Sequence, residues 1–172
     1  MTYMDHVPAQ KRAASYLQHV MKEFPKGRFL VAGHSKGGNL ATYACSYLPD
    51  SLFERVDAIY SYDAPGLNKA IIETEGYQRT SPNIRRFVPQ GSIVGMMLEV
   101  PEPTTIVKSH AFGGFAQHDA FTWETKDLSF LTVTETSPDS QQTDLTLKQW
   151  VRETSAEERK KFFDTFFGIF LD

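Results

Sequence analysis

The sequence predicts an α/β domain built on a mostly parallel sheet, and three observations carry that reading. Apolar strand-like runs alternate with helix-like stretches, the pattern of strands returned to one sheet by crossover helices. One junction, "RFLVAGHSKGGNLATYA" over residues 28–44, passes from an apolar run through a glycine-rich turn into small residues with helical character. The 172 residues, 41% hydrophobic and 23% charged, suffice for a single domain with its own core and exclude a disordered chain.

Taken in order, Pro8 opens a helix over residues 8–24, with Ala13, Leu17, Val20 and Met21 at helical spacing. "FPKG" ends it. Residues 29–32 read as a short buried strand. Residues 37–48 follow as a helix whose small side chains let it lie close to a sheet, and Pro49 and Asp50 close it. Residues 56–62 form a second strand that ends in an acid and the turn "PG"; residues 68–76 are helical or irregular. The third strand, residues 84–88, stops at Pro89, and "SIVGMMLEVPEP" is an apolar loop or short helix. Residues 104–109 make the fourth strand, "HAFGGFAQHDAFTW" is a loop, and residues 128–135 are one more β segment. "SPDSQQTD" reads as a polar linker. Residues 145–171 then form a helix whose Phe162, Phe163, Phe166, Phe167 and Phe170 make an apolar face suited to core packing. Helices are expected on both faces of the sheet.

A formal charge of −3 leaves no basic surplus, so nucleic acid is not an expected partner. No run approaches the roughly 18 apolar residues that span a bilayer. The first residues also lack the apolar core of a secretory signal, so a cytoplasmic protein without a transmembrane segment is expected. The single cysteine, Cys45, excludes an intrachain disulfide and reads as a small buried helix residue.

The turn between residues 33 and 37 reads G-H-S-K-G. A serine hydroxyl is a poor nucleophile and must stand on a tight corner where a base can reach it. The flanking glycines, Gly33 and Gly37, are expected to remove side chains that would collide where strand and helix meet. Ser35 is then the nucleophile, and the backbone N–H of Lys36 points to where an oxyanion forms. A phosphate loop needs its lysine after the second glycine with Ser or Thr next; here Lys36 follows the serine and precedes "GGN". The dinucleotide fingerprint G-x-G-x-x-G is absent too, and neither a cofactor nor a metal is expected.

On a fold of this type the order is nucleophile, acid, base. His6 and His19 precede the serine, and His34 adjoins it with its ring expected to point away, in a supporting role. His110 and His118 share the loop after the fourth strand. His118 is preferred as base, because glycines let its loop fold over the site and the following aromatics anchor it. Asp63 ends the strand after the elbow helix, at the carboxyl edge of the sheet, and is the candidate acid. The loop after the next strand, "VPQGSIVG", holds no carboxylate; Gln90 or Ser92 could orient a neighbour there but neither carries charge. Asp119 is expected to hold its own loop. A Ser–His dyad is the alternative to a triad.

Together, "GHSKGGNLA", "YSYDAPGL", "VPQGSIVGMML" and "QHDAFTW" resemble a family of bacterial α/β-hydrolase-like proteins of unassigned function. That family is similar in turn to the class 3 (triacylglycerol) lipases, whose elbow reads G-H-S-x-G-G. The resemblance covers about residues 8–123 and implies Ser35 as nucleophile, His118 as base and an esterase-like or lipase-like activity. The lipases carry an aspartate where this chain reads "PQGS", and several strands before the elbow where this chain has one helix. The expectation is therefore one α/β-hydrolase-like domain over residues 1–172 that lacks the N-terminal strands of the full fold. It would be the C-terminal part of a complete hydrolase, or have its sheet completed by another copy in a homo-oligomer.

The function expected is that of a serine esterase cleaving a carboxylic ester or thioester through a Ser35 acyl-enzyme. "SIVGMMLEV" and "AFGGFA" would offer apolar surface to a lipid-like acyl chain. A hydrolase-like scaffold that binds without turnover is the alternative of another class, and a peptidase or amidase has the same needs.

Overall fold

Four parallel strands and one antiparallel partner make up the central sheet of the computed structural model, which describes residues 6–98, 100–155, 157, 158, 161, 162 and 165. Strands β1 (Phe29–His34), β2 (Val56–Tyr62), β3 (Ile84–Pro89) and β4 (Thr104–Val107) lie side by side in chain order. Each runs parallel to its neighbour, so all four carboxyl ends share one rim. Between them come helices α2 (Lys36–Ser46), α3 (Asp50–Phe53), α4 (Lys69–Ile72) and α5 (Glu75–Thr80), and α1 (Pro8–Glu23) precedes β1. The mostly parallel α/β arrangement follows from that alternation, since a parallel return needs a crossover that a hairpin cannot supply.

Helix α1 starts where Pro8, with no N–H to lose, occupies the first turn and Gln10 accepts the Val7 N–H at 3.0 Å. It packs on α2, and α2 lies on β1 and β2. Met21, Cys45, Leu48, Val56, Ile59 and Ile84 form the core between these helices and the sheet. Tyr43, Ile71 and Tyr77 lead a second cluster between α2, α4 and α5.

Strand β1 is not buried throughout, as its apolar run had implied. Phe29, Val31 and Gly33 turn toward α2 and are half-buried, whereas Leu30, Ala32 and His34 alternate outward; Leu30 is 66% exposed. The register places Tyr60 and Tyr62 on that outward side, where rings of Tyr62, Phe87, Trp123 and Phe130 meet edge or face. At β1, therefore, the helices expected on both faces give way to an open face beside this aromatic cluster.

Residues 128–135 form two elements rather than one. Asp127 and Leu128 both adopt left-handed backbone (φ 50° and 64°), which turns β5 (Thr125–Lys126) back on β6 (Ser129–Phe130). Strand β7 (Thr132–Val133) then joins β4 in antiparallel register at the edge of the main sheet. A short helix α6 (Gly114–Gln117) lies in the long loop after β4.

The supposed linker "SPDSQQTD" opens helix α7 (Pro138–Glu153). Ser137 caps it, accepting the Ser140 N–H at 3.3 Å, and Pro138 takes the first position. Capping residues and linker residues are the same few types, so composition alone misled. The helix ends at Glu153 instead of running on without a break; beyond it, Phe162 is half-buried against Trp150, with ring centroids 4.7 Å apart. Phe163, Phe166, Phe167 and Phe170 lie outside the described residues. Among the described residues no helix is long and apolar enough to cross a membrane.

Cys45 is fully enclosed, and burial pushes its thiol up to about 12. Almost no thiolate exists at pH 8, so iodoacetamide should leave Cys45 intact in the native protein and alkylate it once urea unfolds the chain. Rapid alkylation without denaturant would show that α2 does not stay packed on the sheet.

Candidate functional site

Ser35 sits between the end of β1 and the first residue of α2 with φ 55° and ψ −128°, a conformation that L-residues rarely adopt. Main-chain bonds hold this corner: Ser35 N–H donates to the Tyr62 carbonyl at 2.9 Å, and the Ser35 carbonyl accepts from Gly38 N–H at 3.0 Å and Asn39 N–H at 3.4 Å. The first ties the elbow to the last residue of β2. A Cβ on Gly33 would run into the Gly37 carbonyl, and one on Gly38 would come within 2.6 Å of the Ala64 Cβ and 2.8 Å of the Gly33 oxygen. The pair that permits strand and helix to meet is therefore Gly33 and Gly38. Gly37, expected to share that role, faces open space, and a methyl there would have nothing within 4 Å.

Asp63 follows β2 directly, with left-handed backbone (φ 41°), and is fully buried. Its Oδ1 accepts the Ser92 hydroxyl at 2.5 Å and the Gly95 N–H at 3.1 Å; its Oδ2 lies 2.7 Å from His118 Nδ1. A carboxylate only accepts, so Nδ1 carries the proton and Nε2 is left as the basic nitrogen of the ring. Gly95 has to be glycine here, since a methyl would meet Asp63 Oδ1 and sit 2.7 Å from the Ser92 hydroxyl. Behind the loop, buried Arg86 donates to the Gly95 carbonyl. Burial lowers its pKa, and the charge of Asp63 leads the opposing effects. The guanidinium thus shares the interior with that carboxylate and compensates part of its charge.

The His118 loop is fastened from several sides. His34 Nε2 donates to the His118 carbonyl at 2.7 Å, and the two rings lie 4.6 Å apart. Gln117, buried and beside His118 in sequence, accepts the Gly91 N–H at 2.8 Å and donates to the Ala111 carbonyl at 3.0 Å. The Trp123 indole donates to the Gln117 carbonyl at 2.8 Å. Asp119 caps the next turn by accepting the Phe121 N–H at 3.0 Å. His110 is exposed, its N–H donating to the Thr122 carbonyl at 3.1 Å, and His6 lies 2.8 Å from the Tyr43 hydroxyl.

The structure thus brings Asp63 and His118 into contact and joins His118 to the elbow through His34. Ser92, Gln117 and Arg86 complete the setting, and sequence reasoning singled out only Ser92 among them. The signal it had was thin: a serine in a loop without carboxylates, and a glutamine preceding the histidine. Of the segments read as apolar surface, Val94 and Met97 are buried in the core. Phe112 and Phe121, both in the long loop that carries His118, are 98% and 96% exposed. Among the described residues no group of three or more His, Cys, Asp or Glu side chains could hold a metal ion.

A family model described as Mbeg1-like matches residues 1–168. That finding corrects the resemblance drawn from the motifs. The family is distinct from the lipases and from the α/β-hydrolase-like family to which the motifs pointed, and no hydrolase family matches. No curated protein matches the chain.

The glycine geometry has a direct consequence. Gly37→Ala should leave the melting temperature within a few degrees of the parent. Gly33→Ala and Gly38→Ala should each cost more than about 2 kcal/mol or prevent folding, because backbone must move to admit the methyl. Thermal denaturation of the three variants checks the ranking.

Proposed function

The chain belongs to the Mbeg1-like family, and within that family we propose that it acts as a serine hydrolase of esterase type, cleaving a carboxylic ester or thioester. The observation that carries this reading is the contact of buried Asp63 with His118, whose loop His34 fastens to a corner that presents Ser35 in a strained conformation. Structural packing alone gives no reason for a non-glycine residue to occupy that backbone region. On this reading the sheet is a hydrolase-like scaffold, with nucleophile and acid just beyond the carboxyl ends of β1 and β2 and the base in the long loop after β4.

The reaction follows from the roles. Ser35 Oγ attacks the carbonyl carbon while its proton passes to His118 Nε2, and the imidazolium is stabilised by Asp63 across Nδ1. The oxyanion of the tetrahedral intermediate accepts the Lys36 N–H at the start of α2. Collapse breaks the bond to the leaving alcohol or thiol, which takes the proton from His118 and departs, leaving an acyl-Ser35. Water then attacks the acyl carbon, gives its proton to the same nitrogen and releases the acid as Ser35 recovers its hydrogen. The exposed Phe112 and Phe115, in the same loop as His118, favour an apolar acyl group.

A fluorophosphonate probe and a panel of esters of rising acyl length test the assignment together. Ser35→Ala should abolish labelling and lower turnover at least about 10³-fold, and Asp63→Asn up to about 10⁴-fold. Equal turnover in parent and Ser35→Ala, or a parent that takes no label, would leave a binding scaffold in place of an enzyme.

A further inference from the structure

We propose that Ser140, at the start of α7, is a positioning residue of this site: it holds Ser92 in place so that the Ser92 hydroxyl directs Asp63 at His118. The inference rests on the role just assigned to the Asp63–His118 pair and adds to it a residue from an element remote in sequence.

Asp63 comes from the end of β2, but the groups that orient it come from the loop after β3. That loop is short of internal support. Ser92 N–H bonds the Pro89 carbonyl at 3.0 Å, and the 3₁₀ turn Val94–Met96 follows. What fastens it is delivered from outside. Gly91 N–H goes to Gln117, the Gln90 carbonyl accepts the Ser137 N–H at 2.6 Å, and the Ser92 carbonyl accepts the Ser140 hydroxyl at 2.6 Å.

Ser140 stands out among the three because nothing local requires it. In the first turn of a helix a serine hydroxyl ordinarily turns to water or to a neighbouring main-chain group. This one is buried and reaches a carbonyl 48 residues back. The receiving residue is fully buried as well, and its side chain is committed in both directions: Oγ donates to Asp63 Oδ1 and accepts the Gly95 N–H at 3.1 Å. The hydroxyl of Ser92 thus has no freedom left except that of its own backbone, and Ser140 holds that backbone. Losing the Ser140 oxygen leaves a buried carbonyl unpaired, and the loop must shift to find another donor. A shift of a few tenths of an ångström at Ser92 lengthens its 2.5 Å bond and turns the carboxylate away from the imidazole. Ser140 is the one buried residue among the described side chains of α7, Leu145 and most of the others being exposed, so it is the point at which the helix meets the site.

The test follows the Asp63-bonded Nδ1 proton of His118 by NMR in the full chain, a readout that needs no turnover. Ser140→Ala should speed exchange of that proton with water about fivefold, matching the loss of one hydrogen bond, and Ser140→Thr should restore the parent rate. Ser92→Ala should do at least as much, and the double variant Ser92→Ala/Ser140→Ala no more than Ser92→Ala alone, because both changes break one chain of contacts. Ser140→Cys, which keeps the volume and weakens the donor, decides the matter if Ser140→Ala does not fold: its exchange should exceed the parent's. In the fluorophosphonate reaction Ser140→Ala should lower the maximal labelling rate of Ser35 and leave the probe concentration for half-maximal rate unchanged. Additive effects of the two serines, or a parent-like His118 proton in both Ser140→Ala and Ser140→Cys, would overturn the proposal. A parent that takes no label sinks the hydrolase reading alone, since the proton readout still judges Ser140.

Discussion

Burying the Asp63 carboxylate sets the terms for the whole carboxyl rim of the sheet. A charge out of reach of water demands donors from the protein, and a missing donor costs more than a present one contributes. Here the donors come from two separate loops: a hydroxyl and a backbone N–H from the loop after β3, and a ring N–H from the loop after β4. A buried guanidinium, bonded to the carbonyl of the same Gly95, supplies compensating charge from behind. Neither loop is held by the sheet ladder beyond its first residues. The carboxylate draws them together, and the loops in turn keep it aimed.

The elbow is coupled to this assembly through main-chain groups more than through side chains. Ser35 is bonded to the final carbonyl of β2, and the next residue of the chain is Asp63. His34, one residue before the serine, reaches the carbonyl of His118. Strain at the corner is tolerated because Gly33 and Gly38 let helix and strand approach at backbone distance, which fixes both sides of the serine. Parallel strands make this possible. Only when the strands run the same way do successive strand ends open on one rim, where residues far apart in the chain can converge.

Local chemistry made much of the framework legible. Pro8 at a helix start, the strand over residues 56–62 and the stop at Pro89 all follow from backbone preferences that a few neighbours decide. The same locality explains the misreadings. "SPDSQQTD" has the composition of a linker and the chemistry of a helix cap, and the difference lies in Ser140 being buried against Ser92. The half-open character of β1 is invisible in "FLVAGH", because an apolar run shows that a strand can be buried and not which of its faces finds a cover. Gly37 fits the motif's spelling, yet Gly38 does the steric work: a Cβ on Gly38 would meet Ala64 and the Gly33 oxygen, whereas one on Gly37 would face open space. The motif likeness to hydrolase families misled for a related reason: short strings around an elbow record a local geometry, whereas the match over residues 1–168 reflects the chain as a whole.

By itself, then, the sequence determined the α/β class, the order of the elements and the sharp corner at Ser35, because each depends on interactions within about a dozen residues. The tertiary structure alone decided that Asp63 meets His118, that Ser92 stands between Asp63 and α7, and that Gln117 and His34 hold the His118 loop. Those contacts span 26 to 84 positions of sequence. They exist because a buried polar group takes whichever partner the fold brings within reach, and that choice is made in space rather than along the chain.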